Sequence, residues 1–195
     1  MGQAIKKNKV EYIDRVHGNS KGWITRSCID ENGYSQWHYK YKELKETDLT
    51  EENIYITLNT FFKPYRRLEC IKELNALFID LDYYKTKFTK EQIIMNLEEN
   101  YFNKTIPATN YILDSGRGLA LIWLINKVPS KALPLWKAIE EYLYNKLKEF
   151  GADRQALDAT RILRVPGSIN SKSKTVVSII DEYDYIYDLS LIHIS

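Results

Sequence analysis

Two carboxylates stand at the end of an apolar run, Phe78-Ile79-Asp80-Leu81-Asp82. If this run is a strand, side chains alternate with period two, so Asp80 and Asp82 project to one face and Leu81 to the other. Two acids held side by side repel each other, and burial raises their pKa values, unless a cation neutralises them. Hard oxygen ligands at a sheet edge suit Mg²⁺ or Mn²⁺, with water and phosphate completing the shell. A strand that simply runs into a solvated loop carrying two surface acids gives the same pattern.

Two further segments carry phosphate-binding chemistry. Asp114-Ser115-Gly116-Arg117-Gly118 lies between two apolar runs. Its glycines let backbone approach a ligand, and the Ser115 hydroxyl, the loop N–H groups and the Arg117 guanidinium are phosphate donors. A polar hairpin loop reads the same way, and the spacing is not that of a Lys-bearing phosphate loop. The other segment runs from Gly151 to Lys174, where Arg154, Arg161, Arg164, Lys172 and Lys174 oppose Asp153 and Asp158. An acid followed by several cations could supply a further metal ligand and a triphosphate clamp. Structural ion pairs, such as Asp158 with Arg161, are the alternative. In a regular strand Arg161 and Arg164 would fall on opposite faces.

The elements that would position these groups read as a mixed α+β chain, mostly antiparallel sheet with flanking helices. A hairpin is expected from Trp23–Ile29 and Tyr34–Tyr41 around Asp30-Glu31-Asn32-Gly33, with Asn-Gly supplying positive φ angles. Ile54–Leu58 is rich in β-formers. Leu68, Ile71 and Leu74 have helical spacing. Ala76–Asp82 reads as a strand covered on both faces. Thr89-Lys90-Glu91-Gln92 is a capping-box pattern, so a helix is expected to about Glu99. Strands follow at Thr109–Leu113 and Leu119–Ile125. From Pro134 a helical face is expected through Leu135, Trp136, Ile139, Tyr142, Leu143, Leu147 and Phe150, stopped by Gly151. Arg161–Lys174 reads as strand, turn and loop, and Thr175–Ile180 as a last strand.

Length and composition bound the function. The chain has 195 residues, 44% hydrophobic and 28% charged, with a net charge of +2. That is one globular domain, residues 1–195, and excludes a disordered tail or a coiled coil. The longest apolar run, Leu119–Ile125, is far short of the roughly 20 residues of a membrane span. Lysines near the N-terminus precede no apolar core, so no secretory signal is expected, and Lys6 breaks the myristoylation pattern begun by Gly2. Cys28 and Cys70 make no metal cluster or disulfide framework, and a reducing cytoplasm is the expected compartment. The final 15 residues carry four acids and no Lys or Arg, and the ending suggests a fragment of a longer protein. His17, expected in a loop, His38, in the aromatic strand, and His193, near the end, offer no catalytic pattern. The 15 tyrosines suit packing or stacking on bases.

Taken in order, the three segments resemble the catalytic domain of archaeo-eukaryotic-type primases, in the RepB-like primase-polymerase branch of plasmids, phages and integrated elements. The most distinctive piece is Arg161-Ile-Leu-Arg-Val-Pro-Gly-Ser-Ile-Asn-Ser-Lys172, which is similar to an Arg-x-x-Arg-x-Pro-Gly-x-x-Asn-x-Lys run of that branch. The resemblance spans about Ile54 to Ile180. It implies an RRM-like catalytic core and two-metal nucleotidyl transfer from nucleoside triphosphates on a single-stranded or origin DNA template. Asp80, Asp82 and Asp153 would be the metal ligands and catalytic acids, with Asp158 the rival for the third position. Ser115, Gly116, Arg117, Gly118, Arg161, Arg164 and Lys172 would bind the nucleotide, and a replicative helicase would be a partner. One position departs. Much of the family has a His that contacts the triphosphate where this chain has Ala120, leaving Arg117 as a substitute donor. Two other functions compete: a non-catalytic replication-initiator module that binds origin DNA, and a metal-dependent nuclease.

Overall fold

A computed structural model describes residues 2–190, with side chains from residue 10 onward. His193 lies outside the described residues. The chain opens with helix α1 (Gly2–His17), followed by the hairpin β1 (Ile24–Asp30) and β2 (Gly33–Tyr39). A short helix α2 (Tyr41–Glu46) leads to β3 (Ile54–Thr57), β4 (Thr60–Phe61) and the long β5 (Ile71–Leu81). Helix α3 (Lys90–Asn96) precedes the hairpin β6 (Tyr111–Asp114) and β7 (Leu119–Pro129), and α4 (Leu133–Leu147) follows. The chain continues with β8 (Ile162–Arg164), β9 (Ile169–Asn170), β10 (Thr175–Val176) and β11 (Ser178–Glu182).

The strands form a five-stranded sheet, β11-β6-β7-β5-β4, and a four-stranded sheet, β2-β1-β3-β8, with β9 and β10 as a separate pair. Every pairing between these strands is antiparallel. The α+β class with mostly antiparallel sheet is therefore the observed one.

β5 and β7 form the centre. They pair from Glu73↔Pro129 to Leu81↔Leu119, and Leu77, Phe78, Ile79, Leu121, Ile122 and Trp123 are all buried. The other edge of β5 lacks a full partner strand, because β4 pairs only with Glu73 and Ile71. Helix α4 covers what β4 leaves open. Trp136 Nε1 donates to the Ala76 carbonyl (2.8 Å), and the Phe78 N–H donates to Glu140 Oε1 (2.7 Å). Backbone groups shut away from water need such partners, or each costs roughly 1–3 kcal/mol.

Several expectations need correction. Leu68–Leu74 is not helical: a single 3-10 turn, Leu68–Cys70, leads straight into β5. Pairing with β7 and β4 outweighs the helical spacing. Tyr41 begins α2 rather than ending β2. The hairpin turn sits on Glu31-Asn32, because Asp30 pairs with Gly33; Gly33 has φ +120° and Asn32 is not left-handed. Thr175–Ile180 divides into β10 and β11. Leu135 is exposed. His17 ends α1 and is buried. The capping box is present, Thr89 Oγ1 accepting from Gln92 N and Gln92 Oε1 from Thr89 N. Gly151 ends the helical segment with φ +86°.

Burial pushes the Glu140 carboxyl well above the usual range, with Asp80 adding to the effect. The folded chain thus keeps a proton that the unfolded chain releases above about pH 4.3. That contribution to stability is fully present below this pH and is lost as pH rises toward the folded value. Urea denaturation from acid to neutral pH should show this decline in the wild type. Glu140→Gln, permanently neutral, should flatten it.

Candidate active site between the two sheets

The open edge of β5 continues past α4, and there it determines where the acids meet. After the Gly151 stop, the chain runs back along β5 and makes an isolated antiparallel bridge, Leu81↔Ala152. Asp153 N–H donates to the Asp80 carbonyl (2.9 Å), and Asp82 N–H donates to the Gly151 carbonyl (2.9 Å). Asp153 is thereby laid beside Asp80, although 73 positions separate them. Gly151 fits here for two reasons. Its φ is left-handed, and an added Cβ would stand 2.8 Å from the Asp82 carbonyl oxygen.

The side chains converge on a cation. Arg161 Nη2 donates to Asp80 Oδ2 at 3.2 Å and lies 3.7 Å from Asp153 Oδ2. Asp82 is held by Lys85 Nζ at 2.6 Å. Burial raises the Asp80 pKa; Arg161 pulls it down, and Asp82 and Asp153 push it up again. Among the described residues no three acidic, His or Cys side chains are already drawn around one point. Asp80 is turned to Arg161 and Asp82 to Lys85.

Asp80 and Asp82 line a cleft of about 260 Å³ with Ser115, Arg117, Gly118, Ala120, Arg161, Arg164 and Lys172. Gly116 and Asp153 are not among its lining residues; Asp153 reaches it through Arg161. Asp158 does not reach it. Its carboxylate accepts from Thr160 N and Thr160 Oγ1 (both 2.9 Å) and turns the chain into β8. That turn resolves the strand-face problem of the two arginines. Arg161 precedes β8, so it escapes strand alternation and shares the cleft with Arg164.

The β6–β7 turn packs tightly under this cleft. Ser115 N and Oγ both donate to the Gly118 carbonyl (3.0 Å each), and Gly116 N donates to Asp114 Oδ1 (2.7 Å). These donors are thus engaged within the turn, and the Arg117 guanidinium is the one that stands in the cleft over Tyr84, 5.0 Å from its ring centroid. Gly118 has no room for a side chain: a Cβ would meet the Leu81 carbonyl oxygen at 2.9 Å. Ala120, where the resemblance would place a His, pairs directly with Asp80 across β5 and β7 and so lies beside the first acid.

Sequence reading missed three contributors, and gave a fourth, Asn170, only as a position of the Arg161–Lys172 run. Tyr55 lines the cleft, with the Arg164 guanidinium 4.6 Å from its ring centroid; its alternation with Ile54 and Ile56 was the available signal. Asn53 Oδ1 accepts from Arg164 Nη1 (3.1 Å), while Asn53 Nδ2 donates to Ser171 Oγ (2.7 Å). Asn170 Nδ2 donates to the Ser115 carbonyl (2.6 Å), tying the Lys172 loop to the turn. Tyr84 carries no local signal of its own.

No family model matches the sequence. A replication protein of Clostridium perfringens is 75% identical over 189 residues, covering 97% of this chain and 47% of that protein. The chain thus spans about half the length of this curated relative. Among solved structures, the AEP domain of the cyanophage S-2L primase-polymerase matches with a TM-score of 0.67 over 94% of both chains, at 15% identity. The catalytic domain of primase RepB′, in complex with initiator DNA, matches with a TM-score of 0.55 over 93% of this chain and 87% of that one, at 12% identity. These likenesses are of fold.

Arg161→Gln removes both influences that lower the Asp80 pKa, its charge and its hydrogen bond. The Asp80 pKa should rise further, as read by a carboxyl-carbon NMR titration. An unchanged titration would mean the pair does not form.

Proposed function

We propose that this chain, which has the fold of archaeo-eukaryotic-type primase-polymerase catalytic domains, is a nucleotidyl-transfer domain that extends a nucleic-acid strand from nucleoside triphosphates on a DNA template. One observation carries the reading: Arg161, from the Gly151–Lys174 segment, joins Asp80 and Asp153 at the side of one cleft whose walls bring Arg117, Arg164 and Lys172. Divalent cations fit the donor set. Asp80, Asp82 and Asp153 offer only hard carboxylate oxygens, which suit Mg²⁺ or Mn²⁺, and the mutual repulsion of these acids at Asp80 is the demand a cation relieves. When bound, such ions would neutralise the triphosphate and lower the pKa of the attacking hydroxyl.

The chain's own residues do the rest by position and charge. Arg161 and Lys172 contact the triphosphate, and Arg164 and Arg117 contact nucleotide or template phosphate. Gly118, lacking a side chain, leaves the Ser115–Gly118 turn seated close against the acids. No protein nucleophile is required. Ala120 favours a second reading, an initiator module that binds DNA without polymerising, because the residue in register with Asp80 adds no phosphate donor.

Primer synthesis on a single-stranded template with Mg²⁺ or Mn²⁺ separates the readings. Wild type should incorporate nucleotides, and Asp80→Asn should fall to background while keeping its fold by circular dichroism. DNA binding indifferent to metal and nucleotide, with no synthesis by wild type, would favour the initiator. Cutting of DNA with Mn²⁺ and no nucleotide would indicate a nuclease. Ala120→His places an imidazole beside Asp80 and should lower the KM for nucleoside triphosphate.

A further inference from the structure

The Arg164–Tyr55 wall continues beyond the cleft. Arg164 pairs with Tyr55, Tyr55 with Ser27, and Ser27 with Gln36, one row across β8, β3, β1 and β2. Directly paired residues of an antiparallel sheet share a face, and so do residues two apart on a strand. Tyr34 therefore belongs to this face. Its hydroxyl lies 3.0 Å from Ser27 Oγ and donates to Gln36 Oε1 at 2.9 Å. The row spans three interstrand steps, about 14 Å.

The opposite face, with Ile24, Ile54, Ile56 and Leu163, is core. The Tyr34 face instead carries hydroxyls, an amide, rings and cations, with the exposed Ile29 opposite Tyr34 and with Ser27 itself buried. Arg66 lies over the Tyr34 ring, 5.7 Å from its centroid, and its Nη1 donates to the carbonyl of Thr160, the residue before Arg161. Its buried Nε has no partner. The loop from Phe62 to Arg67 adds two more cations and no acid, and β2 contains no charged residue. Tyr34 itself is 47% exposed. The residues these strands place on this face include no acid, although Asp30, Glu31 and Glu52 border it at Ile29; an exposed ring beside an arginine matches what a single strand offers, a π-face at each base and a charge at each phosphate. A duplex keeps its base faces stacked away.

The geometry points to this row as a tract for single-stranded DNA: a strand leaving the cleft over Arg164 and Tyr55 crosses the sheet, meets Arg66 with a phosphate and stacks a base on Tyr34. The inference rests on the template-directed reading and assigns its template a path.

Fluorescence anisotropy of the full chain with a labelled oligothymidylate of about 20 nucleotides tests it. EDTA is present and nucleotide absent, so catalysis plays no part. Tyr34→Ala should weaken single-strand binding about tenfold, the effect of one lost stacking contact. Tyr34→Phe should bind as wild type, and a duplex of equal length should bind both variants like wild type. Arg66→Gln should reduce the salt slope by about one. Single-strand binding by Tyr34→Ala equal to wild type overturns the tract, as does an equal loss on single strand and duplex; neither result touches primer synthesis. If wild type binds neither DNA, the tract and the template reading fall together.

Discussion

A β-strand at the edge of a sheet leaves every second residue's N–H and C=O without a ladder partner, and β5 is such a strand along most of its length. The structure answers this need in sequence along the edge. Asn59 Oδ1 accepts from Asn75 N, Trp136 donates to the Ala76 carbonyl, Glu140 accepts from Phe78 N, and the Gly151–Asp153 segment bridges the last residues. The last of these is also what assembles the site. Satisfying the backbone of Asp80 and Asp82 brings Asp153 alongside, so one hydrogen-bonding requirement serves both the fold and the acid cluster.

The same arrangement stores electrostatic tension. Asp80 is buried beside two other acids, and Glu140 is buried on the same strand edge with Asp80 raising its pKa. Arg161 holds Asp80 and Lys85 holds Asp82. Optimising stability alone would remove these charges; keeping them is the pattern expected where binding a cation or anion is the purpose. Burial also lowers the Arg164 pKa, an effect opposed by Tyr55 and Asp80. Charges of both signs therefore sit partly desolvated around one cleft, where each acts more strongly than in water.

Asparagines tie together the elements that surround the cleft. Asn53 links Arg164 on β8 to the Ser171 loop, and Asn170 links that loop to the β6–β7 turn. Asn53 holds a left-handed backbone, φ +54°, a conformation asparagine tolerates better than most residues. The two sheets are therefore joined at the cleft by side-chain amides as well as by the hydrophobic core beneath.

Local chemistry in the sequence determined a good deal: the apolar run ending in Asp80 and Asp82, the turn at Ser115–Gly118, the Gly151 stop, the Thr89 capping box and the mixed α+β class all follow from period, turn residues and caps. Spacing also grouped Arg161, Arg164 and Lys172 in one segment. Only the tertiary structure laid Asp153 beside Asp80 and turned Asp158 elsewhere, because a backbone bridge to β5 places the first while an Asx turn with Thr160 occupies the second. It also turned Leu68–Leu74 toward strand, since pairing with neighbours far along the chain outweighs local helical spacing. Tyr55 became part of the cleft for the same reason: strand register, which no single segment encodes, determines which side chains share a face.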